Sequence, residues 1–417
     1  MNNIEFVKNS QVKTNYYSET TSEGLKIFVV NTEGEKTKYN KISIVVNYGG
    51  NDREYIDKFS NKNILIPEGT AHLIEHLICN KGKTFKEVKK DMIALNTKIN
   101  ACTSSKYTKF FIEFTGDFTK PLKYLMEMVF GAKITDKLIQ KELGIVFSEM
   151  DLSPKNESVE NLLFKNKYES STVIGTRKEL YKVNANLVNN IYANYYVPNN
   201  IAIVINGNIL PGEIFPKIEE NLKNLNVQKS FKPQRVKQEF EFPKEHIMVG
   251  NKNLSKKVDI ALKYGNYNNE LSLDMNLTFE VFCLLNFYKI SEFVNRMKEQ
   301  ELINSPVYWQ YNREFNYARF IVSSVDALKI RKEILLYFRE SLNKIVSKDD
   351  FELAKKVMYA ENIKSFLKNP VCEVESSFIE SRGVFAEVDA LSEFTFEKYQ
   401  KCLKKLLNYK GVYMYYN

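Results

Sequence analysis

The nine residues Gly69–Leu77, GTAHLIEHL, hold two of the three histidines in a chain of 417 residues. His72 and His76 lie four apart, with Glu75 between them. If the stretch is helical, positions i and i+4 share a face one turn apart, so both imidazoles can direct a ring nitrogen at one ion. Imidazole suits zinc, and a hydrolytic zinc site takes three protein ligands plus water. Glu75 is close enough to that face to take a proton from water that the ion has acidified. Two ligands and a general base therefore fit within five residues. The competing reading is a pair of packed or surface histidines that fall together by chance. His246, the third histidine, is given no role.

A third ligand should be a carboxylate or thiolate from a distant segment. Cys79 lies three residues past His76, but its short side chain on the same helix would turn away from the ion. Glu149 in KELGIVFSEMDL is the better candidate. Ile145, Val146, Phe147 and Met150 around it are apolar, so part of this helix is buried, and a carboxylate there needs a partner. Glu142, two helical turns earlier, falls on a similar face and could orient a ligand or the site water. For both glutamates the alternative is an ordinary charged helix face.

The wider composition is that of an ordered globular protein, with 44% apolar residues, 28 Phe and 25 Tyr against only 16 Gly and 10 Pro. No apolar run approaches the roughly 18 residues that a membrane span requires. The first twenty residues lack the charged-then-apolar pattern of a secretory signal. Cys79, Cys102, Cys283, Cys372 and Cys402 show no paired spacing and read as reduced thiols of a cytoplasmic protein. The formal charge is +9, but the lysines are dispersed among Glu and Asp. A nucleic-acid binder would concentrate them in a stripe with exposed aromatics, so no nucleic-acid partner is expected.

Around the histidine segment, strands and helices alternate. LKIFVV (Leu25–Val30), KISIVVNYG (Lys41–Gly49), KINACTSS, TKFFIEFTGD and NNIAIVINGN read as strands. FKEVKKDMIALN, TKPLKYLMEMVFGAK, TDKLIQKELGIVFSEMDLS and NANLVNNIYANYYVP read as helices. The second half repeats the order. HIMVGNKNLSKKVDIALKYGN parallels the first strand pair, and YARFIVSSVDALKIRKEILLYF parallels YTKFFIEFTGDFTKPLKYLMEMVF. SKDDFELAKKVMYAENIKSFLKN parallels the Glu149 helix and sets Glu361 opposite Glu149. The expected architecture is an internal duplication. Two similar α+β domains, each a mostly antiparallel sheet packed with helices, span residues 1–222 and 244–417, joined by a polar linker at 223–243.

His72-x-x-Glu75-His76 inverts the commoner H-E-x-x-H order. Together with Glu142 and Glu149 seven apart on a later helix, it resembles the pitrilysin/insulinase family of zinc metallopeptidases, in its short two-domain form. The resemblance is strongest over residues 20–215. It implies one zinc ion per chain held by His72, His76 and Glu149, with Glu75 as general base and Glu142 assisting. It further implies that NACTS (Asn100–Ser104) is an edge strand, where Asn100, Ala101 and Cys102 bind a peptide substrate as an added strand. Each chain would form half of a clamshell chamber. IGTRKEL and YVPNNIAIVINGN also look like family segments, with Asn208 where an aspartate is usual.

One departure stands out. Family members or their partner subunits carry an Arg and a Tyr, seven apart, that stabilise the developing oxyanion. Here Arg296 matches, the position seven later is Ile303, and Tyr308 is out of register. The resemblance thus implies a metalloendopeptidase working as the zinc-bearing subunit of a heterodimer, with a related zinc-free subunit supplying Arg and Tyr. The alternatives are a homodimer that uses Arg296 and Tyr308, or a non-catalytic peptide-binding scaffold. Peptide maturation and general degradation are both compatible with it.

Overall fold

The structure, a computed structural model, describes residues 4–9, 12, 14–30, 39–80, 85–152, 159, 163, 173–227, 231, 233–236, 248–250 and 257–416. His246 and residues 228–230, 232 and 237–243 of the expected linker lie outside them. The chain forms two compact units, both discontinuous in sequence. The first comprises residues 1–154, 171–238 and 365–384, and the second comprises 155–170, 239–364 and 385–417.

The first unit is built on a seven-stranded sheet in the order β1-β2-β3-β9-β4-β8-β7. The strands are β1 (Glu5–Asn9), β2 (Thr14–Thr20), β3 (Lys26–Val30), β4 (Asn40–Val46), β7 (Thr97–Thr103), β8 (Thr108–Phe114) and β9 (Ile201–Asn206). Only β3 and β9 run parallel; every other neighbour is antiparallel. Ile201–Ile205 of β9 and Ile42–Val46 of β4 are buried without a break, which is how strands covered on both faces read. β8 instead alternates buried and half-buried residues. A small second sheet joins β5 (Glu54–Ile56), β6 (Asn63–Leu65) and β10 (Gln234–Arg235). The Arg235 guanidinium donates to Asp52 and to Asn47.

Four helices shape the side of the sheet that matters here: α1 (Thr70–Asn80), α2 (Phe85–Ala94), α3 (Thr119–Phe130) and α4 (Asp136–Leu152). α1 packs on α4, β7 and β8, while α3 packs on β4 and β8. Three more helices, α5 (Arg177–Leu180), α6 (Ala185–Tyr195) and α7 (Pro211–Asn224), follow. Another helix of this unit, Pro370–Ile379, comes from late in the sequence and packs on β9 and β3. There Lys109 Nζ on β8 meets the buried carboxylate of Glu375 at 2.8 Å.

The second unit repeats the design. Its five strands are β11 (Met248–Gly250), β12 (Lys257–Lys263), β13 (Tyr308–Asn312), β14 (Tyr317–Ser323) and β15 (Gly411–Tyr416), in the order β11-β15-β12-β14-β13. Their order and sense match β3-β9-β4-β8-β7, including one parallel pair, β11 with β15. Helices Ala327–Ser341 and Lys348–Lys368 take the places of α3 and α4 in the repeat. The α+β duplication expected from sequence is therefore the architecture observed. The second half carries no counterpart of the histidine pair, and Glu361 is exposed. Among the described residues no helix is long and apolar enough to cross a membrane.

Lys109 and Glu375 are both largely withdrawn from water, so removing one strands a buried charge. Glu375→Ala is expected to destabilise the first unit by about 3 kcal/mol, read as a lower urea midpoint from a probe in that unit. An unchanged midpoint would show that the pair adds no stability.

Candidate metal centre

Leu73, Ile74, Leu77 and Ile78 of α1 are at most 1% exposed. This apolar stripe faces the core and turns His72, Glu75 and His76 toward α4 and β7. The helix starts where Gly69 takes a φ of +84°. Gly69 sits back to back with Gly175, at φ +76°. A Cβ on Gly69 would lie 2.5 Å from Ile174 O, and one on Gly175 would lie 2.5 Å from Glu68 O. No side chain fits between them. That contact fixes the segment Val173–Gly175 beside the first turn of α1.

α4 buries Ile139, Leu143, Val146 and Phe147, and among them Glu142. Its last turn is fastened by Arg177, which pairs with both oxygens of Asp151 at 2.8 and 2.7 Å and lies over the Phe147 ring. Glu149 is thereby brought to the histidines. Its Oε2 is 3.6 Å from His72 Nε2 and 3.5 Å from His76 Nε2. The three donor atoms lie within 4.8 Å of one another. A tetrahedral ion with bonds of roughly 2.0–2.1 Å separates neighbouring donors by about 3.4 Å, so the two nitrogen–oxygen spacings fit zinc. The donor types, two imidazoles and one carboxylate, suit it as well.

The surroundings are equally specific. His76 Nδ1 faces Glu142 Oε2 at 3.7 Å, and the same oxygen accepts a hydrogen bond from Asn80 Nδ2 at 2.7 Å. A carboxylate thus stands beside the second ring nitrogen of His76, where outer partners of ligating histidines lie. His72 Nδ1 has no such partner among the described residues. Glu75 Oε2 accepts from Thr103 Oγ1 at 2.6 Å. A cleft of about 360 Å³ opens here, lined by His72, Glu75, Glu149, Ala101–Thr103 and Val173–Ile174.

The electrostatics favour a cation. Burial, then the neighbouring His76, lowers the pKa of His72 to about 4, so this imidazole is neutral near pH 7. Burial opposes charge on His76, but Glu142, Glu149 and Glu75 outweigh it and raise its pKa. Burial likewise raises Glu75, against the stabilising Thr103 hydroxyl and His76. Three carboxylates converge on two imidazoles, a negative excess that a divalent ion offsets. Burial pushes the Cys79 thiol upward, which disfavours the thiolate a metal would need.

β7 ends the seven-stranded sheet. Asn100 is exposed, and its Oδ1 accepts from Ala101 N at 2.9 Å. Arg296 and Tyr308 belong to the other unit. Arg296 lies 3.8 Å from Glu333 and over the rings of Phe293 and Tyr337. Tyr308 is 60% exposed at the start of β13. Ile303 is buried and bridges to Ser324. Sequence reasoning missed Asn80, Thr103 and the Gly69–Gly175 contact. The first lies four residues past His76 and the second within NACTS, so position alone could have flagged both.

Both halves of the chain match known proteins. The family model for Insulinase (Peptidase family M16) matches residues 62–195, and that for the Peptidase M16 inactive domain matches residues 182–358. YmfH, an uncharacterized zinc protease of Bacillus subtilis (strain 168), is 24% identical over 427 residues, covering 96% of both chains. An M16-like peptidase structure from Alicyclobacillus acidocaldarius superposes with a TM-score of 0.81 at 18% identity, over 97% of this chain and 98% of that one. Pitrilysin superposes with a TM-score of 0.76 at 14% identity, over 99% of this chain but 46% of its own. Fold and matches together define a peptidase-type protein made of two related halves, one of which bears the inverted histidine motif. The chain belongs to the insulinase/pitrilysin family, peptidase family M16.

Metal binding should follow the titration of His76. A protonated imidazole cannot ligate, so affinity is full above the raised pKa of His76 and is lost as pH falls through it. Zinc affinity measured by chelator competition is expected to weaken as acidification protonates His76. A flat profile would contradict the ligand assignment.

Proposed function

We propose that the chain is a zinc-dependent endopeptidase that cuts peptides or unfolded segments. The observation that carries this is the convergence of His72 Nε2, His76 Nε2 and Glu149 Oε2 beside the Glu75 carboxylate. A zinc ion held by those three atoms would supply Lewis acidity, acidifying water and polarising a carbonyl. Glu75 takes the proton of the attacking water and later delivers it to the leaving amine. Glu142, which accepts a hydrogen bond from Asn80, stands beside His76 Nδ1 and would orient that ring.

Substrate enters as an extended strand on the outer edge of β7, through the main chain of Asn100, Ala101 and Cys102. Main-chain pairing of this kind reads little of a peptide's sequence. The five cysteines are free thiols, which suits a reducing, cytoplasmic setting.

With Ile303 buried seven residues after Arg296, this chain lacks the tyrosine expected there. We therefore assign it the zinc-bearing role in a heterodimer whose related, zinc-free partner supplies Arg and Tyr. The same Ile303 favours a second reading, a peptide-holding scaffold that does not cut. Zinc content after dialysis separates the two. About one ion per chain supports the peptidase, whereas none, with peptide binding intact, supports the scaffold.

Glu75→Gln is expected to keep zinc while hydrolysis of fluorescein-labelled casein falls by roughly 100-fold or more. His72→Ala or His76→Ala should lose both. Casein hydrolysis by Glu75→Gln at the wild-type rate would refute the mechanism.

A further inference from the structure

Glu75 is a long side chain on a helix, with three torsions to fix before its carboxylate can face a reacting atom. The helix restricts only the first of them. The hydrogen bond given to its carboxylate comes instead from Thr103, 28 residues away on β7, at 2.6 Å. Thr103 is β-branched, so its own rotamer is restricted.

The backbone of Thr103 is also held. It pairs with Thr108 at the closed end of the β7–β8 hairpin, and the turn is completed by Ser104 N donating to Tyr107 O at 2.8 Å. Gly50 N and Asn51 N donate to Ser104 O and Ser105 O at 2.9 and 2.8 Å. Gly49 presses on the same turn so closely that a Cβ there would lie 2.5 Å from Tyr107 N. Thr108 Oγ1 donates to Tyr48 O at 2.9 Å. The hydroxyl of Thr103 is therefore presented from a hairpin tip clamped by residues 48–51.

We propose that Thr103 is a positioning residue that aims the Glu75 carboxylate, an inference that rests on the peptidase reading above. The hydroxyl has one proton, and donating it to Oε2 leaves Oε1 to face the cleft. The proton leaving water then goes to Oε1, and from Oε1 to the amine nitrogen as the peptide C–N bond breaks. Thr103 remains a donor throughout. Because Thr103 ends the strand that receives substrate, the base is aimed relative to the bound peptide as well as to the histidines on its own helix.

The test uses the full chain, with any co-purifying partner, in three variants. Thr103→Val keeps the shape and removes the donor; Thr103→Ala does so without β-branching, should valine impair folding; Thr103→Ser restores the donor. With fluorescein-labelled casein as the probe, Val and Ala are expected to lower kcat on the order of 10- to 100-fold, the worth of a hydrogen bond to a charged group. KM and zinc content should stay near wild type, and Ser should recover most of the rate. Crystal structures give a readout independent of turnover. The Glu75 carboxylate should leave its present position in the Val or Ala variant and keep it in the Ser variant. An unmoved carboxylate, or full kcat without the hydroxyl, overturns the proposal. If wild-type protein fails to cut casein, the peptidase reading is what fails, and the carboxylate position still decides whether Thr103 holds Glu75.

Discussion

The arrangement depends on the burial of one apolar stripe. Leu73, Ile74, Leu77 and Ile78 are driven into the core of the first unit, each contributing on the order of 1.5–3 kcal/mol of transfer free energy. Helical periodicity then leaves His72, Glu75 and His76 no face but the one toward α4 and β7. The matching stripe on α4, Ile139, Leu143 and Val146, sets that helix against α1. Chemistry with ordinarily expensive components, three carboxylates and two imidazoles partly withdrawn from water, is thus assembled by hydrophobic packing.

The second constraint is electrostatic. A buried carboxylate such as Glu142, fully withdrawn from solvent, persists only with partners, and it has Asn80 and His76. Glu149 is more exposed than Glu142, as suits a group at the mouth of a cleft. The two glutamates, seven apart on one helix, thus occupy different environments, one as an inner support and the other as a donor at the opening. Backbone geometry finishes the site, since the Gly69–Gly175 contact brings Val173 and Ile174 to the same cleft.

Much of this was legible in the sequence because its signals were local. β3, β4, β7, β8 and β9 are apolar or alternating runs, and α1, α3 and α4 show helical spacing, so they stand where the pattern put them. The duplication was legible because corresponding segments keep their order. The strands β1 and β2, EFVKN and TNYYSET, are too polar to announce themselves; β2 pairs with β3, and β1 pairs with β2. Nothing in the sequence of Pro370–Ile379 says that it belongs with the first unit. That follows from tertiary packing and the Lys109–Glu375 pair. The identity of Glu149 was suggested by the helix, but its approach to both imidazoles depends on how two distant helices cross. Thr103 and Asn80 lie within or beside the motifs, but their partners, Glu75 and Glu142, are set by tertiary packing.

The proposed chemistry requires a cation among the three donor atoms. The most direct measurement is anomalous diffraction from crystals of the zinc-loaded protein, with data collected on both sides of the zinc absorption edge. The expected result is a single peak within bonding distance of His72 Nε2, His76 Nε2 and Glu149 Oε2, present above the edge and absent below it. A difference map without that peak, with Glu149 turned toward solvent, would contradict the account.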